Sequence, residues 1–296
     1  MKQIAYLVLA HADPAHFEKL VNAIDYKARF FVHVDAKTNI LDFKKLSLPK
    51  SLTFLEERVS VAWGSISMVD ATLKLIESAL KTQEEFSHLV LISGSDYPIK
   101  KSSFIYQTFV DNPEHQFIKY IDMRQSSHYS KHVNQKWYKT PLFKTNNKTL
   151  KLIDKSIREI GNRLRLKNHW NKSIIPYFGS QWWALTPACA KYILNFVKNN
   201  PDFYAFNRYT FSPDEHFFHT IVGNSPYNKM SDGVQEFRQR GTWRLANFHI
   251  IHTLLSKWYS IQDLDEIISS NRLFVRKLNS LVSNELVKSI NEKILK

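Results

Sequence analysis

His88-Leu89-Val90-Leu91-Ile92-Ser93-Gly94-Ser95-Asp96-Tyr97-Pro98 is the stretch whose reading decides the fold. Residues 88–92 form a short apolar run of strand length, ended by small polar residues and a proline. A buried strand that releases polar groups at its carboxyl end is the signature of a ligand-binding α/β sheet. Outward from it, residues 3–10 are a near-continuous apolar run and read as a second buried strand. Asp13-Pro14 then starts a helix, with Asp13 as N-cap, Pro14 at the first position, and Phe17, Leu20, Val21 and Ile24 on one face. Residues 29–34, 51–55 and 116–121 read as further strands, and 65–80 as a long amphipathic helix. Strand and helix in alternation predict an α/β fold, a Rossmann-like, mostly parallel sheet flanked by helices. Its ligand edge would carry Ala10-His11, His33-Val34-Asp35 and Ser93-Gly94-Ser95-Asp96.

The second half is less regular. Residues 147–172 read as a basic helix, with eight Lys or Arg against two acids. Its Leu150, Leu152, Ile153, Ile157, Ile160 and Leu164 predict one side packed on something. Residues 177–185 read as an aromatic strand, and 187–199 as a helix opened by Thr186-Pro187. Ser212-Pro213-Asp214-Glu215 opens another short helix, with Ser212 as its cap. No linker, repeat or low-complexity tract divides the chain. One domain over 1–296 is expected, with a nucleotide-binding half (1–125) and an acceptor-binding, catalytic half (126–296).

The chain is 44% hydrophobic and 14% aromatic, which excludes a disordered protein. Its seven glycines never cluster, so neither a dinucleotide fingerprint nor a P-loop is present. Cys189 is the single cysteine, which rules out an intrachain disulfide and a Cys-based zinc site. The apolar run near the N-terminus is too short to span a membrane, and a cytoplasmic protein is expected. A net charge of +14 favours partners that carry phosphates.

Ionisable groups concentrate in the segment 212–219. Glu215 and His219 stand at i and i+4, and with His216 they could serve a metallohydrolase, although no HExxH motif is present. A bland reading makes the acids a helix start, favoured by the dipole. A sugar-transferase reading needs one carboxylate to take a proton from an acceptor hydroxyl, and positive charge on a departing diphosphate. The Asp-x-Asp that holds a metal in many such enzymes is missing after the central strand, where Ser95-Asp96-Tyr97 stands. Asp263-Leu264-Asp265, far downstream, reads better as a helix cap. Lys or Arg would then replace the metal, each contributing about 4 kcal/mol at about 4 Å from a phosphate, before desolvation. A non-catalytic nucleic-acid or anionic-surface binder is the rival from another class. Its basic residues should form one aromatic-lined stripe, whereas here they are spread and no nucleic-acid-reading motif occurs.

Six blocks in order resemble the core-2/I-branching β-1,6-N-acetylglucosaminyltransferase family, which includes the peptide O-xylosyltransferases. They are Leu9-Ala10-His11 with Phe31-Val32-His33-Val34-Asp35, Val61-Ala62-Trp63-Gly64-Ser65, Leu91 to Pro98, Gly179-Ser180-Gln181-Trp182-Trp183-Ala184-Leu185, Pro213-Asp214-Glu215 and Leu273-Phe274-Val275-Arg276-Lys277. The resemblance implies a GT-A fold, a UDP-sugar donor, inversion, no metal or other cofactor, and Glu215 as catalytic base. It places the diphosphate on Lys277 and on Lys257, with Arg244 as fallback because Leu255-Ser256-Lys257 departs from the family pattern. His11, Asp35 and Asp96 fall at the donor, and Trp182, Trp183 and Asp214 at the acceptor, with alternation exposing only one tryptophan. Relatives with membrane anchors and disulfides differ from this chain, so a bacterial enzyme of surface polysaccharide synthesis (lipopolysaccharide or capsule) is expected. Its donor would be UDP-GlcNAc, with UDP-xylose or another UDP-sugar as alternative. Its acceptor would be a carbohydrate or lipid-linked glycan, with peripheral contact at the inner membrane face through the basic helix and no nucleic-acid partner.

Overall fold

Strands apolar on both faces are buried only where both faces of their sheet are covered. β1 (Gln3–Ala10), β2 (Ala28–Val34) and β4 (Phe86–Ser93) meet that condition, and the partly exposed β3 (Leu52–Phe54) forms the sheet edge. The computed structural model describes residues 2–141, 143 and 147–295. The four strands run parallel in the order β3-β2-β1-β4. Alternate residues of β1 go to opposite cores. Tyr6 and Val8 pack with Phe17, Leu20 and Val21 of the helix Pro14–Ala23, while Ala5 and Leu7 pack with Val69, Leu75 and Ile76 of the helix Ser67–Leu80. Each such fully buried Leu, Ile or Val contributes about 1.5–3 kcal/mol. Asp13 accepts from His16 N (3.1 Å) as the expected N-cap, and Pro14 follows it.

β5 (Asp96–Pro98) leaves the main sheet directly after β4, and β6 (Gln116–Asp122) returns to it. The strand expected over 177–185 is two short pieces, β7 (Tyr177–Gly179) and β8 (Ala184–Leu185), both antiparallel to β6. From Gly179 to Ala184 the chain advances five positions, while their partners Tyr120 and Phe117 are three apart. The two extra residues make a bulge, a device that re-aims side chains. β9 (Ser231–Val234) joins β6 in parallel. β10 (His249–Ile251) and β11 (Phe274–Arg276) form a small second sheet with β5. Phe248, Leu264, Phe274 and Ile290 share one core with β1 and β2, so distant parts of the sequence close over the same sheet. The expected α/β, mostly parallel GT-A type architecture is what the topology shows.

Two helical expectations are corrected. The basic helix is Lys148–Leu164, ended by Arg165 in the left-handed region (φ 47°), and Asp154 is its only buried residue. The apolar side expected to pack is exposed. Ser212, whose backbone is left-handed (φ 48°), makes no side-chain cap bond. Pro213–Glu215 is a single tight turn, after which Phe217–Gly223 forms the helix proper.

Candidate active site

Ladder bonds continue past the strand ends and draw three loops to one edge. Asp35 N donates to Ala10 O (2.8 Å) and Gly94 N to Leu9 O (2.9 Å). A cavity of about 270 Å³ opens there, lined by His11, His33, Asp35, Lys37, Trp182 and Arg276. A larger cavity of about 630 Å³ shares His11, Trp63, Trp182 and Arg276 with it, so the two form one cleft. Asp214, Glu215, Lys257 and Lys277 line the larger part. His33 sits on the side of Val59 N, whose N–H it accepts at 2.8 Å through Nε2. Burial lowers the pKa of His33 to about 4, so the ring is neutral and serves the loop. Asp35 accepts from Lys37 N (2.9 Å) and pairs with Lys37 Nζ (3.4 Å).

Asp214 and Glu215 stand side by side on the tight turn, which Glu215 N closes by donating to Ser212 O (3.0 Å). Ser212 N in turn donates to Gly64 O (3.1 Å), tying the turn to the loop that carries Trp63. Burial, then the neighbouring Asp214 charge, raises the Glu215 pKa well above the usual carboxyl range. Burial likewise lifts Asp214 to about 6, and its Oδ1 is buried with no hydrogen-bond partner among the described residues. A carboxylate held this way is a stronger base than an ordinary glutamate.

Three cations line the same cleft as the carboxylates. Arg276, at the end of β11, lies over the Trp182 ring (4.4 Å) and pairs with Asp96 Oδ1 (2.9 Å). Lys277 lies 5.2 Å from the Trp258 ring, and burial followed by the Arg276 charge lowers its pKa. Lys257 is held by Asp263 (2.5 Å), whose other oxygen accepts from Ser260 N (2.9 Å) in a capping box. The cap expected of the Asp-x-Asp is therefore present, and it also fixes Lys257. This concentration of positive charge can hold a diphosphate.

The structure separates other expected residues from the cleft. Asp96 is wholly buried and lines neither cavity; it accepts from His249 Nε2 (3.0 Å), Ser93 N (2.8 Å) and Arg276. Burial would raise its pKa, but His249 and Arg276 hold it below the usual value. Asp96 thus positions Arg276 rather than facing the cleft. Trp183, in the link between β7 and β8, is fully buried against Phe218; of the two only Trp182 reaches the cleft. Arg244 does not line the cleft itself but a cavity of about 320 Å³ that adjoins its larger part through Tyr129 and Gly241. His216 and His219 are buried in the protein interior, and His219 Nε2 meets Ser180 O (2.9 Å). Among the described residues no three His, Cys, Asp or Glu converge as metal ligands, so Glu215, His216 and His219 form no such set.

Sequence reading passed over Arg276 and Trp63. Arg276 stood inside a quoted block beside Lys277, and only the pairing of β11 with β5 shows which of the two reaches Asp96. Trp63 is 73% exposed at the mouth of the cleft, edge-on to Phe211 (5.5 Å).

Three comparisons place this geometry among known proteins. The human N-acetyllactosaminide beta-1,6-N-acetylglucosaminyl-transferase is 25% identical over 93% of this chain and 67% of its own length. Rat xylosyltransferase 2 is 24% identical over 76% of this chain and 25% of its own. The chain thus spans about two thirds of the first relative and a quarter of the second. The galactosyltransferase LgtC, solved with donor and acceptor sugar analogs, aligns over 98% of this chain and 96% of its own, at 10% identity and a TM-score of 0.44. The sequence model of the family described as Core-2/I-Branching enzyme matches residues 4–258, which include Glu215 and Lys257. A glycosyltransferase by this match, the chain belongs to the Core-2/I-branching enzyme family.

Proposed function

We propose that this chain transfers a sugar, with inversion and without a metal, from a UDP-sugar to a hydroxyl of a glycan. The observation that carries this reading is the placement of Glu215, Lys257, Arg276 and Lys277 around one cleft at the carboxyl edge of the sheet. Glu215 takes the proton of the acceptor hydroxyl as its oxygen bonds to the anomeric carbon. The bond from that carbon to the diphosphate breaks on the opposite face, so the configuration inverts. Negative charge developing on the leaving diphosphate is met by Lys277, Arg276 and Lys257, in the role a divalent metal takes elsewhere. The smaller lobe, with His11 and Asp35, suits the uridine, and Trp63 and Trp182 offer rings to the sugars.

The relatives' names supply the donor reading. GlcNAc is proposed first, because the human relative is an N-acetylglucosaminyl-transferase, and xylose second, from the rat relative. A carbohydrate or lipid-linked glycan of a bacterial surface polysaccharide is the proposed acceptor. Calorimetry with UDP-GlcNAc, UDP-xylose and UDP-galactose in the presence of EDTA tests the donor site. One donor should bind, and Lys277→Ala should weaken it by at least about tenfold, as expected for a lost phosphate charge. Binding that requires a divalent metal, or binding unaffected by the substitution, would overturn the assignment.

A further inference from the structure

The helix Lys148–Leu164 is joined to the rest of the described chain along one narrow side. Gly161 lies so close to Tyr138 that a Cβ would meet its ring at 2.6 Å, and Asn162 Oδ1 accepts from Tyr138 N (2.8 Å). The next face round the helix carries Leu150, Ile153, Ile157, Ile160 and Leu164, all exposed. Their spacing of three and four makes a continuous stripe, and Leu166 extends it past the helix end. Scattered apolar residues are ordinary on a surface, but a five-residue stripe on one helix marks a contact. Exposed Lys148, Lys151, Lys155 and Arg163 occupy other faces of the same helix.

A second feature adjoins it. Directly beyond the helix, a cavity of about 990 Å³ is lined by Arg124, Lys131, Arg165, Lys167, His169 and Lys172, with no acid among the described lining residues. Among the described residues, Arg124 alone of these cations pairs with an acid, Asp122 at 2.6 Å. Arg165 belongs to this lining and stands between Leu164 and Leu166, so apolar stripe and basic cavity are continuous along the chain.

We propose that this face docks the protein on an anionic phospholipid surface. The stripe would lie among the acyl-chain boundary, with the lysines and the basic cavity taking lipid phosphates. A second copy of the chain fits less well, because pairing two stripes would bring two cationic surrounds together on molecules of net charge +14. A nucleic acid would use the cations but leave the stripe in water. The proposal does not rest on the sugar-transfer reading, since none of these residues lines the cleft.

Co-sedimentation with vesicles of phosphatidylcholine, alone and equimolar with phosphatidylglycerol, tests it. Wild type should bind the anionic vesicles at least about tenfold more tightly, and less as salt rises. Ile153→Asp with Ile160→Asp should lose about tenfold or more in vesicle affinity, with UDP-sugar binding and the circular-dichroism melt unchanged. Arg165→Glu with Lys167→Glu should lose binding in the same way without touching the stripe. Absence of wild-type binding, or vesicle affinity retained by both variants, would overturn the proposal. So would a wild-type dimer in sedimentation equilibrium that Ile153→Asp with Ile160→Asp converts to monomer.

Discussion

At the scale of single residues, the proposed chemistry turns on two adjacent, half-buried carboxyl groups in the cleft. Burial and the Asp214 charge both favour the protonated form of Glu215, so a base at this position is lost as pH falls through its raised pKa. Asp214→Asn removes the charge and keeps the shape. The acidic limb of the kcat/KM–pH profile is therefore expected to move to lower pH, and an unmoved limb would show that Asp214 does not act on the base. Glu215 was legible in the sequence because its neighbours Pro213 and Asp214 form a recognisable block. Asp96 was read at the donor, and its place as a buried anchor for Arg276 shows only once β5 pairs with β11. The choice between Trp182 and Trp183 followed from strand alternation in kind but not in direction. Periodicity says one faces in, and only the bulge between Gly179 and Ala184 says which.

At the scale of elements, β7 sets the floor of the cleft by its close approach to the helix Phe217–Gly223. A Cβ on Gly179 would lie 2.5 Å from both His219 Cδ2 and the carbonyl oxygen of Lys119, and the latter is backbone that cannot turn aside. Gly179→Ala is expected to destabilise the protein by about 1–3 kcal/mol in urea unfolding, the usual cost of overpacking. Stability equal to wild type would mean that β7 is free to shift. The long parallel strands and the Pro14–Ala23 helix were readable, because apolar runs, a cap and a proline all agreed there. The short strands β5, β10 and β11 were not, since three residues carry no period and their pairing is decided by contacts far along the chain. The basic helix showed its amphipathic pattern plainly, yet a pattern cannot say whether a stripe meets protein or lies open.

At the scale of the whole molecule, several histidines are held neutral by burial. Burial lowers His33, His88 and His132 to about 4 and His219 to about 3. In the unfolded chain each would take up a proton near pH 6.5, so stability is present above that pH and is lost as pH falls toward about 4. Each histidine can contribute on the order of 2–3 kcal/mol to that loss, from about 1.4 kcal/mol per pKa unit. Asp214 and Glu215 act in the opposite sense, because their raised values favour the folded state when they are protonated. A melting temperature that drops between pH 7 and pH 4 is expected, and a flat profile would argue that these rings are not held neutral. The family assignment extends over residues 4–258, and within it the catalytic claim narrows to one side chain. The most direct measurement compares wild type and Glu215→Gln for sugar transfer at saturating donor, with donor affinity measured on the same samples in EDTA. Turnover lower by about 10²–10⁴ with donor affinity unchanged is the expected result for loss of a general base, and full turnover in the variant would contradict it.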